Sequence, residues 1–102
     1  GPGSQEVADR FPLRDYFLHQ MLAQKGYIVA CVDGRGTGYR GRDFKKATYL
    51  RLGALESEDQ IAAARYFQTL RYVDAARIGI WGWSYGGFMS STCLFKAPDV
   101  FK

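Results

Sequence analysis

The 102-residue sequence predicts an α/β fold in which parallel strands alternate with helices. Three observations carry that prediction. Two short, unbroken apolar runs, 27–33 (YIVACVD) and 77–83 (RIGIWGW), have the pattern of strands covered on both faces of a parallel sheet. Segments of helical periodicity lie before, between and after them. A tight Gly-rich turn follows the second run directly, where an α/β layer passes from strand to helix.

The elements follow in chain order. Leu13, Phe17, Leu18, Met21 and Leu22 recur at helical spacing, and Gly26 after Lys25 is a C-terminal cap, which predicts a first helix of about 12 residues. The 27–33 run is the first strand. Ser57-Glu58-Asp59-Gln60 fits a capping box in which the serine accepts from the Gln60 amide. Ile61, Ala64, Phe67 and Leu70 then continue one apolar face of a second helix. The 77–83 run is the second strand, and Phe88, Met89 and Cys93 predict a third helix that stops before Pro98.

Composition sets the outer limits. With 47% hydrophobic and 16% aromatic residues the chain is globular, and 102 residues form one domain or part of one. The longest unbroken aliphatic run, 28–32, is far short of the roughly 20 residues of a membrane span. Cys31 and Cys93 fall within a predicted strand and a predicted helix and read as buried thiols, with no metal-binding spacing around them. The net charge of +4 comes largely from Arg35, Arg40, Arg42, Lys45, Lys46 and Arg51. This basic stretch carries no nucleic-acid motif and no spaced stacking aromatics, so it reads as a solvated loop or a docked face.

Gly36-Thr37-Gly38-Tyr39-Arg40-Gly41 matches the letters of a dinucleotide-binding turn. Its context is wrong. Such a turn opens a helix at once and needs an acid ending the next strand, whereas Glu56 and Glu58 stand where a helix begins.

Gly82-Trp83-Ser84-Tyr85-Gly86 fits G-x-S-x-G, the strand-to-helix turn that exposes a nucleophilic serine in α/β-hydrolases. Gly82, Gly86 and Gly87 leave room where strand and helix crowd the turn, and Ser84 is expected in a sparsely allowed conformation. The Tyr85 amide then points to where an acyl-transfer oxyanion develops. The chemistry also needs a base and an acid after the serine, but the single histidine, His19, precedes it and falls on the polar side of the first helix. His19 therefore reads as an exposed surface residue.

Four blocks, VDGRGTGYRG (32–41), LGALESEDQIAAARYF (52–67), YVDAARIGIWGWSYGGF (72–88) and the closing VFK, resemble the catalytic domain of the prolyl oligopeptidase family of serine peptidases, dipeptidyl peptidase IV branch. Gly1-Pro2-Gly3-Ser4-Gln5 resembles that family's G-P-x-S-Q. The resemblance implies an α/β-hydrolase fold with the nucleophile elbow at the second strand-to-helix turn. Ser84 is then the nucleophile, Tyr85 supplies one oxyanion donor through its amide, and its ring lines a pocket for a proline-like side chain. It further implies release of N-terminal dipeptides from a peptide substrate through an acyl-enzyme, with no metal or organic cofactor. An extracytoplasmic setting, periplasmic, secreted or surface-anchored, follows from the same likeness.

On this reading residues 1–102 are a single partial peptidase domain, with the triad acid, the histidine, a tyrosine oxyanion donor ahead of Gly1 and a propeller domain all outside them. The chain by itself is expected to be inactive. A central strand is expected to lie between 27–33 and 77–83 in the whole sheet, so the isolated chain is expected to be a homo-oligomer that covers those edges. Rival readings are another hydrolase on the same fold, such as an acylaminoacyl peptidase or esterase, and a non-catalytic interaction module.

Overall fold

The computed structural model describes residues 2–11 and 15–102. Leu13 of the predicted first apolar face and Gly1 of the G-P-x-S-Q block lie outside the described residues. Four helices appear among the described residues: α1 (Tyr16–Gln24), α2 (Arg42–Lys46), α3 (Leu55–Gln68) and α4 (Tyr85–Lys96). None is long and apolar enough to cross a membrane.

Helix α1 closes at the expected glycine. The Gly26 amide donates to the Ala23 carbonyl and the Tyr27 amide to that of Leu22, the paired bonds of a helix ended by a left-handed glycine at φ 89°. The predicted apolar stripe, in contrast, has little to pack on: α1 contains no buried residue, and Phe17 is 81% exposed.

Helix α3 begins earlier than the capping box predicts. Its N-cap is Ala54, and Ser57 lies inside the first turn, where its buried hydroxyl donates back to the Gly53 and Ala54 carbonyls instead of accepting from Gln60. Within a helix a short hydroxyl side chain reaches the carbonyls one turn back more readily than any amide ahead of it. The predicted face is otherwise present, with Ala64 buried and Ile61, Phe67 and Leu70 half-buried.

Helix α4 stops at Lys96, short of Pro98, and packs on α3. Between and beneath them Ala64, Met89, Cys93, Ala97, Val100 and Phe101 form the core, with Ile61, Ile78, Ile80 and Tyr85 against it. Small residues on facing helices allow that close approach.

The two predicted strand segments form no strand and belong to no ladder among the described residues. Their single sheet-like contact is a parallel bridge between Ile78 and Phe101, reinforced by the Lys102 amide donating to the Ile78 carbonyl at 2.9 Å. An apolar run encodes the wish to be covered, but a ladder needs a partner strand at hydrogen-bonding distance. The 27–33 and 77–83 segments do not pair with each other, and a groove of about 330 Å³ opens between 30–33 and 79–81. Consequently Tyr27 and Ile28 are exposed, and so is Cys31, against the expectation of a buried thiol; Cys93 is fully buried and burial pushes its thiol pKa up.

The basic stretch is less free than a solvated loop. Arg35 grips α3: its Nη2 lies 2.6 Å from Asp59 Oδ1 and its own amide donates to Asp59 Oδ2 at 2.7 Å. Burial works to raise the Asp59 pKa, but these bonds from Arg35 outweigh it and hold the carboxyl below its usual value. In the G-x-G-x-x-G stretch, the Gly36 amide donates to the Phe44 carbonyl and Thr48 packs against Gly36, and α2 opens directly after Gly41.

Candidate active site

Ser84 is the N-cap of α4, immediately after the 77–83 segment, at φ 57°, ψ −116°. A non-glycine residue in this region is strained by roughly 1 to 3 kcal/mol, and it persists only where its surroundings hold it. Tyr39 and Leu50 also have positive φ, so the angle alone does not mark a site. What singles out Ser84 is the hold around it. Its carbonyl accepts from the Gly87 and Phe88 amides, the Gly86 amide turns back to the Trp83 carbonyl, and the backbone of Gly86 presses on Gly82. A Cβ on Gly82 would stand 2.5 Å from the Gly86 carbonyl carbon, a distance no side chain can occupy.

The crowding is not shared equally by the three glycines. A Cβ on Gly87 would meet only the Gly82 carbonyl oxygen, at 3.4 Å, and one on Gly86 would meet nothing within 4 Å. Gly86, expected to be needed for its missing side chain, is instead the backbone that Gly82 must accommodate.

The serine hydroxyl is exposed and makes no capping bond to α4. Tyr85 follows as the first helical residue, where an amide has no carbonyl one turn back to donate to and the positive end of the helix gathers. An anionic oxygen near Ser84 is the natural partner for that amide. The Tyr85 side chain reaches α3, its hydroxyl donating to Glu56 Oε1 at 2.7 Å. Burial first, then the bond to Glu56 and its charge, push the phenol pKa up to about 12, with the Gly53 amide pulling the other way.

His19 is half-buried, not exposed: its ring stands edge-on to Trp81 at 6.0 Å. An amphipathic ring covers apolar surface when a neighbouring indole offers it. Among the described residues no hydrogen bond joins His19 to Ser84, and no cluster of three or more His, Cys, Asp and Glu side chains could hold a metal. The larger hollow, about 760 Å³ between Pro2, Lys45 and Leu52, includes neither Ser84 nor Tyr85. Sequence reasoning missed Glu56 as a neighbour of the site, having placed it only as an acid near a helix start.

Residues 14–102 match the prolyl oligopeptidase family. The chain belongs to the prolyl oligopeptidase family. Among curated relatives, mouse "Prolyl endopeptidase FAP" is 42% identical over 102 residues, covering all of this chain and 13% of that protein. "Probable dipeptidyl-aminopeptidase B" of Arthroderma benhamiae is 51% identical over 103 residues, covering 100% of this chain and 11% of that protein. Among solved structures, Porphyromonas gingivalis dipeptidyl peptidase 4 superposes with a TM-score of 0.91 at 56% identity, over all of this chain and 14% of that one. A putative dipeptidyl aminopeptidase IV from Bacteroides ovatus also gives 0.91, at 38% identity, with the same two coverages. The family chain described here thus spans little more than a tenth of the length of the curated relatives it matches.

Proposed function

We propose that Ser84 is the nucleophile of a serine exopeptidase that releases N-terminal dipeptides with proline-type specificity. The observation that carries this reading is an exposed serine held at φ 57° at the start of α4, in a family whose similar members include proteins named dipeptidyl peptidases. In the same reading the 27–33 and 77–83 segments serve as strands of an α/β-hydrolase sheet, and the groove between them receives a further strand.

The reaction is acyl transfer. Ser84 Oγ attacks the carbonyl carbon of the second residue of the peptide, while a base elsewhere in the protein removes its proton. The carbonyl oxygen becomes an oxyanion that accepts from the Tyr85 amide, and the C–N bond breaks as the leaving amine takes the proton. Water then attacks the Ser84 ester and frees the dipeptide, restoring the hydroxyl. The Tyr85 ring lines the pocket for the proline-like side chain.

The name of the mouse relative, a prolyl endopeptidase, supports a second reading in which internal bonds after proline are cleaved. Gly-Pro reporters with free and with blocked amino termini, given to the whole protein and to its Ser84→Ala variant, test both. Cleavage of the free reporter alone, lost in the variant, is the expected result. Cleavage of the blocked reporter favours the endopeptidase, and cleavage of acyl esters alone overturns both.

A further inference from the structure

Helix α3 reaches into the site through one side chain. Glu56 uses both carboxylate oxygens: Oε1 accepts the Tyr85 hydroxyl at 2.7 Å, and Oε2 accepts the Gly53 amide at 3.0 Å. Gly53 is buried, so its amide needs that partner. At φ 85° it also has no room for a side chain, since a Cβ would stand 2.9 Å from the Phe88 ring. Phe88 in turn lies 5.6 Å from the Tyr85 ring at 38°. The Tyr85 ring is thereby held at its tip by Glu56 and beside its face by Phe88, with both supports anchored at Gly53. Burial and the bond to Glu56 push the phenol pKa up to about 12, so the Tyr85 hydroxyl is a neutral donor at neutral pH.

We infer that Glu56 is a positioning residue that fixes the rotamer of the Tyr85 ring beside Ser84 and thereby sets how well the adjoining pocket selects a proline-like side chain. The inference rests on Ser84 as nucleophile and Tyr85 as pocket wall. Its physical basis is preorganisation: a ring fixed before substrate arrives loses no rotational freedom on binding, and a rigid wall discriminates between a cyclic and a smaller side chain better than a swinging one. Glu56 touches neither substrate nor reacting atoms in this scheme and acts only through Tyr85.

The test is a double-mutant cycle in the whole protein, with Glu56→Gln, Tyr85→Phe and the pair assayed on Gly-Pro and Gly-Ala reporters, kcat and KM being measured separately. Each single substitution is expected to lower the preference for proline over alanine about tenfold, mostly through KM, because Tyr85→Phe removes the donor to the carboxylate and Glu56→Gln leaves one neutral acceptor oxygen for two donors. The pair is expected to lose no more than the worse single, the signature of one shared interaction. Factors that multiply overturn the inference, as does unchanged selectivity in Tyr85→Phe. That variant leaves the bond between Glu56 and Gly53 in place, so it decides the matter even where Glu56→Gln does not fold. Failure of the two readings is distinguishable: no cleavage of either reporter by the unmutated protein overturns the peptidase reading and this inference with it, whereas cleavage with unaltered selectivity in the variants overturns the inference alone.

Discussion

Gly82→Ala tests the Ser84 turn at its tightest point. The added Cβ would lie 2.5 Å from the Gly86 carbonyl carbon and 2.6 Å from both its Cα and its oxygen. These are backbone atoms of the first turn of α4, so no rotamer change relieves the contact. The turn must open by about half an ångström even to reach the shortest separations seen in proteins, and overpacking of this kind destabilises by roughly 1 to 3 kcal/mol. The opening displaces the residues that hold Ser84 and aim the Tyr85 amide, and a misplacement on the order of 1 Å costs about 10²-fold in rate. The assay is the rate at which a fluorophosphonate modifies Ser84 in the whole protein, with the melting temperature beside it. Gly87→Ala is the control: its Cβ would meet only an ordinary contact at 3.4 Å, and alanine is favoured over glycine within a helix by about 1 kcal/mol. Labelling is expected to fall by about 10²-fold for Gly82→Ala and to hold for Gly87→Ala. Unmutated rate and melting temperature in Gly82→Ala refute the reasoning, because the strand-to-helix approach would then have slack that the backbone distances deny.

Ser84→Ala in the whole protein should lower turnover by several orders of magnitude while leaving KM or inhibitor binding near its original value; a comparable loss of binding would contradict the assigned role. Asp59 titrates below its ordinary value because Arg35 outweighs its burial, so its contribution to stability is present above the unfolded pKa of about 4 and is lost as pH falls through the lower folded value. Arg35→Met should therefore flatten the acid limb of the stability profile, and identical acid unfolding curves would exclude the pair as a cause. The isolated 102-residue chain should self-associate, since the exposed 27–33 and 77–83 segments leave ladder groups and apolar side chains uncovered; light scattering that shows a stable monomer at micromolar concentration would remove that expectation.

The amino-acid sequence alone determined what depends on neighbours a few residues apart. The glycine that ends α1 and the stop of α4 before Pro98 are set by hydrogen bonds within one or two helical turns, so breaker residues reveal them. The turn at Ser84 was legible for the same reason: the 77–83 run, the tight turn and α4 are contiguous, and Gly82 carries the close contact in its own letter. Tertiary structure decided the rest. The apolar runs 27–33 and 77–83 encode burial but not a partner, and the fold leaves them unpaired with each other on either side of a groove. Ser57 fitted a capping motif, yet the helix starts earlier, and the Ser57 hydroxyl donates to the Gly53 and Ala54 carbonyls while Glu56 accepts from the Gly53 amide. His19 looked exposed because its partner Trp81 lies far along the chain. The bond from Tyr85 to Glu56 spans 29 residues, and nothing local to either one distinguishes an acid that merely faces the helix start from an acid that holds a site residue. Local hydrogen bonds leave a periodic trace in the sequence, whereas a contact between distant residues leaves none until the chain has folded.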